Sequence, residues 1–394
     1  MQFVETEKLK SGMRLAKPIY SKTGVMLYDR DTKLTNKGIN SIRNFNLIGI
    51  FILEPAEPLP PISEEDKEFE QFQTVAVFQI KEIMDSLLKY EEPKSLTRLT
   101  QTILRKYATM DHKINFTQSI RSTSDYAYKH AINVAILTAM MSNILQASYN
   151  DQFRYITTAL LYDMGYLFLE KGQMMTAHRY DGEEKIRLQA ARRKGFEVLK
   201  SEPNYSSLPK GTVELVSQLV TGSDPAMHDR LSSMKWHPGT KLIRVADAYD
   251  RMTAMNLEEE PISDVLAVQH LKKHKEIYDR TSVNALISAI HLLPPGCSVD
   301  LSTGGKALVV EENPVDFMHP VILQFSDNKL YDLADPNVSK NIQIVDVMKT
   351  MDNRIKVDED TLKQFKGDAN TEKMLTRFRQ VRAIAAAKKR QDLF

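Results

Sequence analysis

Through the middle of the chain, apolar residues recur every three or four positions. Phe69, Phe72, Val75, Val77, Ile80, Ile83, Met84, Leu87 and Leu88 form one such series, Ile132, Val134, Ala135, Leu137, Met140 and Met141 another, and Tyr155, Ala159, Leu160 and Leu161 a third. That spacing places them on one side of α-helices and predicts helices from about residue 63 to 291. The period is different at both ends. Short apolar runs at 14–20, 24–28 and 48–53 are broken by Lys-Thr-Gly and Asp-Arg-Asp turns, with a helical stretch around 35–45 between them. After Leu292-Leu293-Pro294-Pro295-Gly296 the period becomes two, as Val299, Leu301, Leu308, Val310, Val321, Leu323 and Phe325 alternate with polar residues around a Gly304-Gly305 hairpin signal.

These breaks predict a mainly α, multidomain chain: a small β-rich domain at 1–54, a linker at 55–66, an all-α domain at 67–292, a β-tail at 293–335 and a charged C-terminal region at 336–394. The linker rests on Glu54-Pro55-Ala56-Glu57-Pro58-Leu59-Pro60-Pro61, whose prolines remove backbone donors and fix φ. In the C-terminal region Met374, Leu375, Phe378, Val381 and Ile384 share a predicted helix face, opposite a basic face of Arg377, Arg379, Arg382, Lys388, Lys389 and Arg390.

Composition adds bounds. A length of 394 residues leaves room for two or three domains, and a 42% apolar content supports real cores. Lys plus Arg at 53 against Asp plus Glu at 51 gives a net charge of +2, so a polyanionic partner is neither demanded nor excluded by charge. One cysteine, Cys297, forms no internal disulfide and suits a reducing compartment. The start, Met1-Gln2-Phe3-Val4-Glu5, has no signal-peptide pattern, and no segment offers about 18 uninterrupted apolar residues, so a soluble cytoplasmic protein without a membrane span is expected.

Three stretches resemble one family. Asp125-Tyr126-Ala127-Tyr128-Lys129-His130-Ala131-Ile132-Asn133-Val134-Ala135 is similar to the first metal-ligand helix of the HD-GYP domain proteins. Ala159-Leu160-Leu161-Tyr162-Asp163-Met164-Gly165 resembles their Ala-Leu-Leu-His-Asp-Ile-Gly signature, and Ile243-Arg244-Val245-Ala246-Asp247-Ala248-Tyr249-Asp250-Arg251-Met252-Thr253 resembles the helix that presents their last aspartate. The flanks agree: residues 9–20 are similar to the accessory β-domain that precedes many such proteins, and residues 295–321 to the β-tail that follows. The resemblance spans about residues 3 to 335. It implies an HD-domain helical bundle and, for the family, hydrolysis of cyclic di-GMP at a di- or trinuclear centre of iron or manganese type, held by histidines and carboxylates.

Carried over position by position, the resemblance leaves three of those ligands: His130, Asp163 and Asp247. The expected glutamate falls on Tyr126, the histidine of the His-Asp pair on Tyr162, a further histidine on Ala191, and the phosphate-neutralising lysine on Tyr166. Residues 216–223, where the paired histidines of the HHExxDGxGYP loop should lie, hold no histidine, and Gly-Tyr-Pro is absent. The arginines expected after the Asp247 helix are replaced by Met255-Asn256-Leu257-Glu258-Glu259. His178 mimics part of the loop in the wrong chain order, whereas His228 and His237 lie in the segment that replaced it. These three are the candidate replacement ligands.

The resulting expectation is a degenerate, catalytically inactive HD-GYP-like protein that acts in bacterial signalling through protein contacts, with no catalytic residue, no bound metal and no cofactor. His130, Asp163 and Asp247 are then vestigial metal positions, satisfied by hydrogen bonds, with Tyr126, Tyr162 and Tyr166 filling the volume of metals and water. Two alternatives stay open: a sensor that binds a cyclic dinucleotide without cleaving it, and a metal-dependent phosphodiesterase with a rearranged site. The β-domain and the basic C-terminal helix are the expected contact surfaces for an unknown signalling partner, and a homo-oligomer is compatible with them. Nucleic acid is not the expected partner, because a basic amphipathic helix more often docks on protein.

Overall fold

The computed structural model describes residues 2–21, 23–44, 49–53, 62–119, 121, 125–169, 182–202, 204–222, 235–254 and 261–347. His178, His228, residues 255–259 and the C-terminal basic helix lie outside the described residues, as do Glu54–Pro61 of the proline-rich stretch. The chain divides into two compact units, one holding residues 2–57 and 62–291, the other residues from 292 onward.

At the start of the first unit, strands β1 (Gln2–Glu5), β2 (Arg14–Leu15), β3 (Ile19–Tyr20) and β4 (Met26–Tyr28) lead to helix α1 (Asn36–Asn44) and strand β5 (Gly49–Leu53). Strand β5 is central in an antiparallel sheet of order β1-β5-β2, with Phe3 opposite Phe51 and Leu15 opposite Ile52, while β3 and β4 pair separately. Ile39 and Ile42 of α1 join Val4, Leu15, Ile19, Ile50 and Ile52 in one small core. This part of the unit meets the helices at α2 (Glu64–Leu88): Lys17 pairs with Glu70 at 2.7 Å, and Gln71 donates to the Gly24 carbonyl at 2.6 Å. Helix α2 starts inside the stretch read as the end of the linker. The reason is a capping box, in which Ser63 and Asp66 each accept the other's backbone N–H.

The helices that follow are α3 (Leu96–Tyr107), α4 (Tyr126–Ile144), α5 (Tyr149–Leu161), α6 (Gly182–Lys200), α7 (Asn204–Ser207), α8 (Thr212–Gly222), α9 (Pro238–Thr253), α10 (Asp264–Lys273) and α11 (Arg280–Ala289), with a 3-10 turn at Met164–Phe168 between α5 and α6. Helix α4 is the axis of the bundle. From Ala131 to Met141 all its residues are buried, so it carries no polar face, as a helix surrounded by others requires. It packs against α2, α5, α9 and α11. Side-chain caps set several of the starts: Ser148 for α5, His237 with Pro238 for α9, Ser263 for α10 and Asp279 for α11.

The second unit is an antiparallel sheet of order β10-β6-β7-β8-β9, formed by β6 (Ser298–Leu301), β7 (Lys306–Glu311), β8 (Val321–Gln324), β9 (Lys329–Asp332) and β10 (Ile344–Val347), with a short helix α12 (Pro336–Ser339) before the last strand. The alternation read from sequence is visible as packing, since Leu308, Val310, Val321 and Leu323 cluster on one face. Gly304 has φ +78°, the left-handed turn its hairpin position requires. Strand β10 pairs with β6, so the sheet runs on past residue 335. Mainly α architecture with small sheets near both ends therefore holds for the described residues.

Candidate functional site

Four segments far apart in sequence meet at the first turns of α4. His130 lies there, one turn after Tyr126, and the two rings stack with centroids 5.7 Å apart and planes 20° from parallel. Tyr162 and Asp163 follow the last residue of α5. Asp247, Asp250 and Arg251 sit three and four residues apart on α9, and therefore on one side of it. Arg192 comes from α6. Two glycines let α6 approach: a Cβ on Gly165 would fall 2.5 Å from the Arg192 Cα and 2.6 Å from the Ala191 carbonyl, and one on Gly195 would fall 2.6 Å from the Gly165 amide nitrogen. Backbone meets backbone here, bringing Arg192 within reach of Asp163.

Among the described residues, His130, Asp163 and Asp247 are the group of possible metal ligands, with donor atoms within 4.8 Å of one another. Each of those atoms already has a partner. His130 Nε2 lies 3.0 Å from Asp247 Oδ1, 2.8 Å from the Tyr162 hydroxyl and 3.6 Å from Asp163 Oδ2. Asp163 Oδ1 accepts from Arg192 Nε at 2.9 Å, and its Oδ2 accepts from Arg251. Asp247 Oδ1 accepts from Arg251 Nε at 2.8 Å and from the Tyr162 hydroxyl. Arg251 donates further to the Tyr166 hydroxyl, with its guanidinium 5.3 Å from that ring's centroid.

On its other side His130 Nδ1 donates to Asp250 Oδ2 at 2.6 Å. Asp250 Oδ1 accepts from Arg121 at 2.6 Å, Asn133 at 2.9 Å and Gln118 at 3.2 Å. Gln73 of α2 donates to Asn133 at 2.8 Å, which ties this shell to the opening helix of the bundle. His130, Asp250 and Arg121 are fully buried, and Asp247 is the most open of the charged groups, its side chain 23% exposed.

The electrostatics follow from this geometry. Burial and the Arg251 charge pull His130 toward the neutral form, but hydrogen bonds to Asp163, Asp247 and Asp250 outweigh them and raise its pKa to about 9. Burial pushes all three carboxyls up, whereas the nearby cations hold them below the ordinary range: Arg192 and Arg251 at Asp163, Arg251 at Asp247, and Arg121 at Asp250. Burial likewise raises the phenols of Tyr126 and Tyr162 well above their usual value, so both stay neutral. Three aspartates, two of them buried and Asp247 partly open, thus face three arginines, with a doubly donating histidine between them.

No family model matches the sequence, and no curated protein matches it. A solved structure is similar. It is Bd1817, an HDG"Y"P protein from Bdellovibrio bacteriovorus, at a TM-score of 0.41 and 11% identity, over 72% of this chain and 97% of that one.

The structure brings together the trio and the three tyrosines named from the sequence, but the hydroxyls differ in role. Tyr162 bonds to His130 and Asp247, Tyr166 accepts from Arg251, and the buried Tyr126 hydroxyl has no hydrogen-bond partner among the described residues. Ala191 is buried beside Arg192 on α6. His237 is elsewhere: its Nδ1 accepts the Gly239 amide at 3.1 Å and its ring meets Tyr155. The stretch 216–222 is helical, with Val216, Leu219 and Val220 buried. Sequence reasoning missed Asp250, Arg251, Arg192, Arg121 and Asn133. For Asp250 and Arg251 the signal was present, in charges three and four residues after Asp247 and so on the same side of its helix. Arg121 lies outside any helix and offered none.

A multinuclear centre does not fit these donors. Such a centre needs many anionic or neutral ligands with free lone pairs. Here Asp163 carries two guanidiniums and Asp247 shares one of them, so a further divalent cation would face like charge at close range.

Proposed function

We propose that this chain carries a degenerate HD-GYP domain that does not hydrolyse phosphodiesters and acts in bacterial signalling through contacts with other proteins. The observation supporting this reading is the pairing of Asp163 and Asp247 with Arg251. The positions that would hold metal are joined instead into a buried polar cluster that links α4, α9, α6 and the turn after α5. Substitution of three further ligand positions by Tyr126, Tyr162 and Ala191 points the same way. The proposed location is cytoplasmic; among the described residues no helix is long and apolar enough to cross a membrane.

Cyclic di-GMP incubated with the full chain in Mn2+ or Fe2+ tests the reading by chromatography of the nucleotides. No linear dinucleotide or mononucleotide should form. Turnover that disappears in Asp163→Ala would overturn the proposal.

A further inference from the structure

The cluster around His130 retains the surroundings of a metal site while a side chain supplies the cation. A metal-bound imidazole typically ligates through one nitrogen and donates its other N–H to a carboxylate, which is itself held by hydrogen bonds. His130 has this arrangement. Nδ1 donates to Asp250, Asp250 is fixed by Arg121, Asn133 and Gln118, and Nε2 points at Asp247 and Asp163. Arg192 holds Asp163 chiefly by Oδ1 at 2.9 Å, with a longer contact to Oδ2 at 3.5 Å, and so orients the carboxylate. Oδ2 of Asp163 and Oδ1 of Asp247 are the atoms to which Arg251 donates.

We infer that Arg251 replaces a metal ion, and that removing its guanidinium uncovers a latent site for one divalent transition-metal ion at His130 Nε2, Asp163 Oδ2 and Asp247 Oδ1. The inference rests on the metal-free reading above. Zinc and manganese ions sit about 2.0–2.2 Å from nitrogen and oxygen ligands. Donors within 4.8 Å of one another thus need only sub-ångström movement to share one ion. One imidazole and two carboxylates suit Zn2+ or Mn2+, with solvent completing the shell. A guanidinium donates through flat N–H groups where a metal accepts lone pairs, so the two compete for the same oxygens.

Thermal unfolding of the full chain, with and without Zn2+ or Mn2+, tests this for the unaltered protein, Arg251→Ala and Arg251→Ala/Asp247→Ala. The unaltered protein should not respond. Arg251→Ala should show a saturable rise in Tm of about 5 °C at an ion concentration well above its Kd, and the double variant should lose it. An Arg251→Ala chain that folds only with metal supports the inference equally. Arg251→Gln, which keeps more of the side chain, should respond in the same direction. No metal response in either variant, including failure of metal to restore a lost fold, overturns the latent site and leaves the non-catalytic reading standing. A saturable response of the unaltered protein at the trio overturns both.

Discussion

Nδ1 of His130 lies 2.6 Å from Oδ2 of Asp250, and neither side chain reaches solvent. This contact joins the candidate ligands to the helix bundle, because Asp250 also gathers Arg121, Asn133 and Gln118. Replacing Asp250 by alanine leaves Arg121 buried without its carboxylate and His130 without its anchor. The expected loss is roughly 3–5 kcal/mol, the usual consequence of breaking a buried ion pair from one side. Urea unfolding of the variant checks it, and a loss below about 1 kcal/mol would contradict this role.

The same histidine sets a pH dependence. Its folded pKa is raised to about 9, against an unfolded value near 6.5. The protonated form is therefore favoured by folding, so its contribution is complete below about 6.5 and is lost as pH rises through about 9. Stability should fall across that window. His112, raised by Glu65 and Asp111, acts in the same direction, while Asp264, raised to about 6 by burial, titrates mainly below it. Unfolding at pH 6.5 and pH 9 should show a shallower slope for His130→Gln than for the unaltered protein.

Gly165 and Gly195 control the approach of α6 to the turn after Asp163. Gly165→Ala places a methyl group against backbone atoms that no rotamer change can move aside. We expect destabilisation at or above the roughly 1–3 kcal/mol typical of overpacking, together with separation of Arg192 from Asp163. Calorimetry measures the first, and a crystal structure of the variant the second. An Ala variant as stable as the parent would contradict the close packing.

The Tyr162 hydroxyl bridges His130 and Asp247 from a buried ring position. Tyr162→Phe keeps the ring and removes the bridge, so a loss of about 1–3 kcal/mol is expected for the polar partners left behind. Chemical denaturation decides this, and an unchanged midpoint would show that the hydroxyl only fills space.

Much of this was legible in the sequence, for identifiable reasons. A helical period spread over two hundred residues and a two-residue period after Gly296 report burial directly, and the structure shows mainly helices with a following sheet. Helix α4 is one segment whose character exceeds its pattern: it is buried all round, so periodicity identifies a helix without identifying the bundle's axis. His130, Asp163 and Asp247 were reached through motif resemblance. Arg251 stands in one of those motifs, but the loss of metal ligands does not by itself reveal that a cationic side chain takes their oxygens. Arg192 becomes a partner of Asp163 only through the Gly165 and Gly195 contact, which is a tertiary fact. Strand β10 was also missed, since Ile344-Val345-Asp346-Val347 is short and follows a charged stretch.

Asp163 and Asp247 are paired with protein cations, and on the proposed reading they should hold no metal centre. Elemental analysis of the full chain, purified without chelator, tests it most directly. Iron, manganese and zinc together should fall well below one ion per chain. A stoichiometric ion, and above all two or more iron or manganese ions per chain, would contradict it.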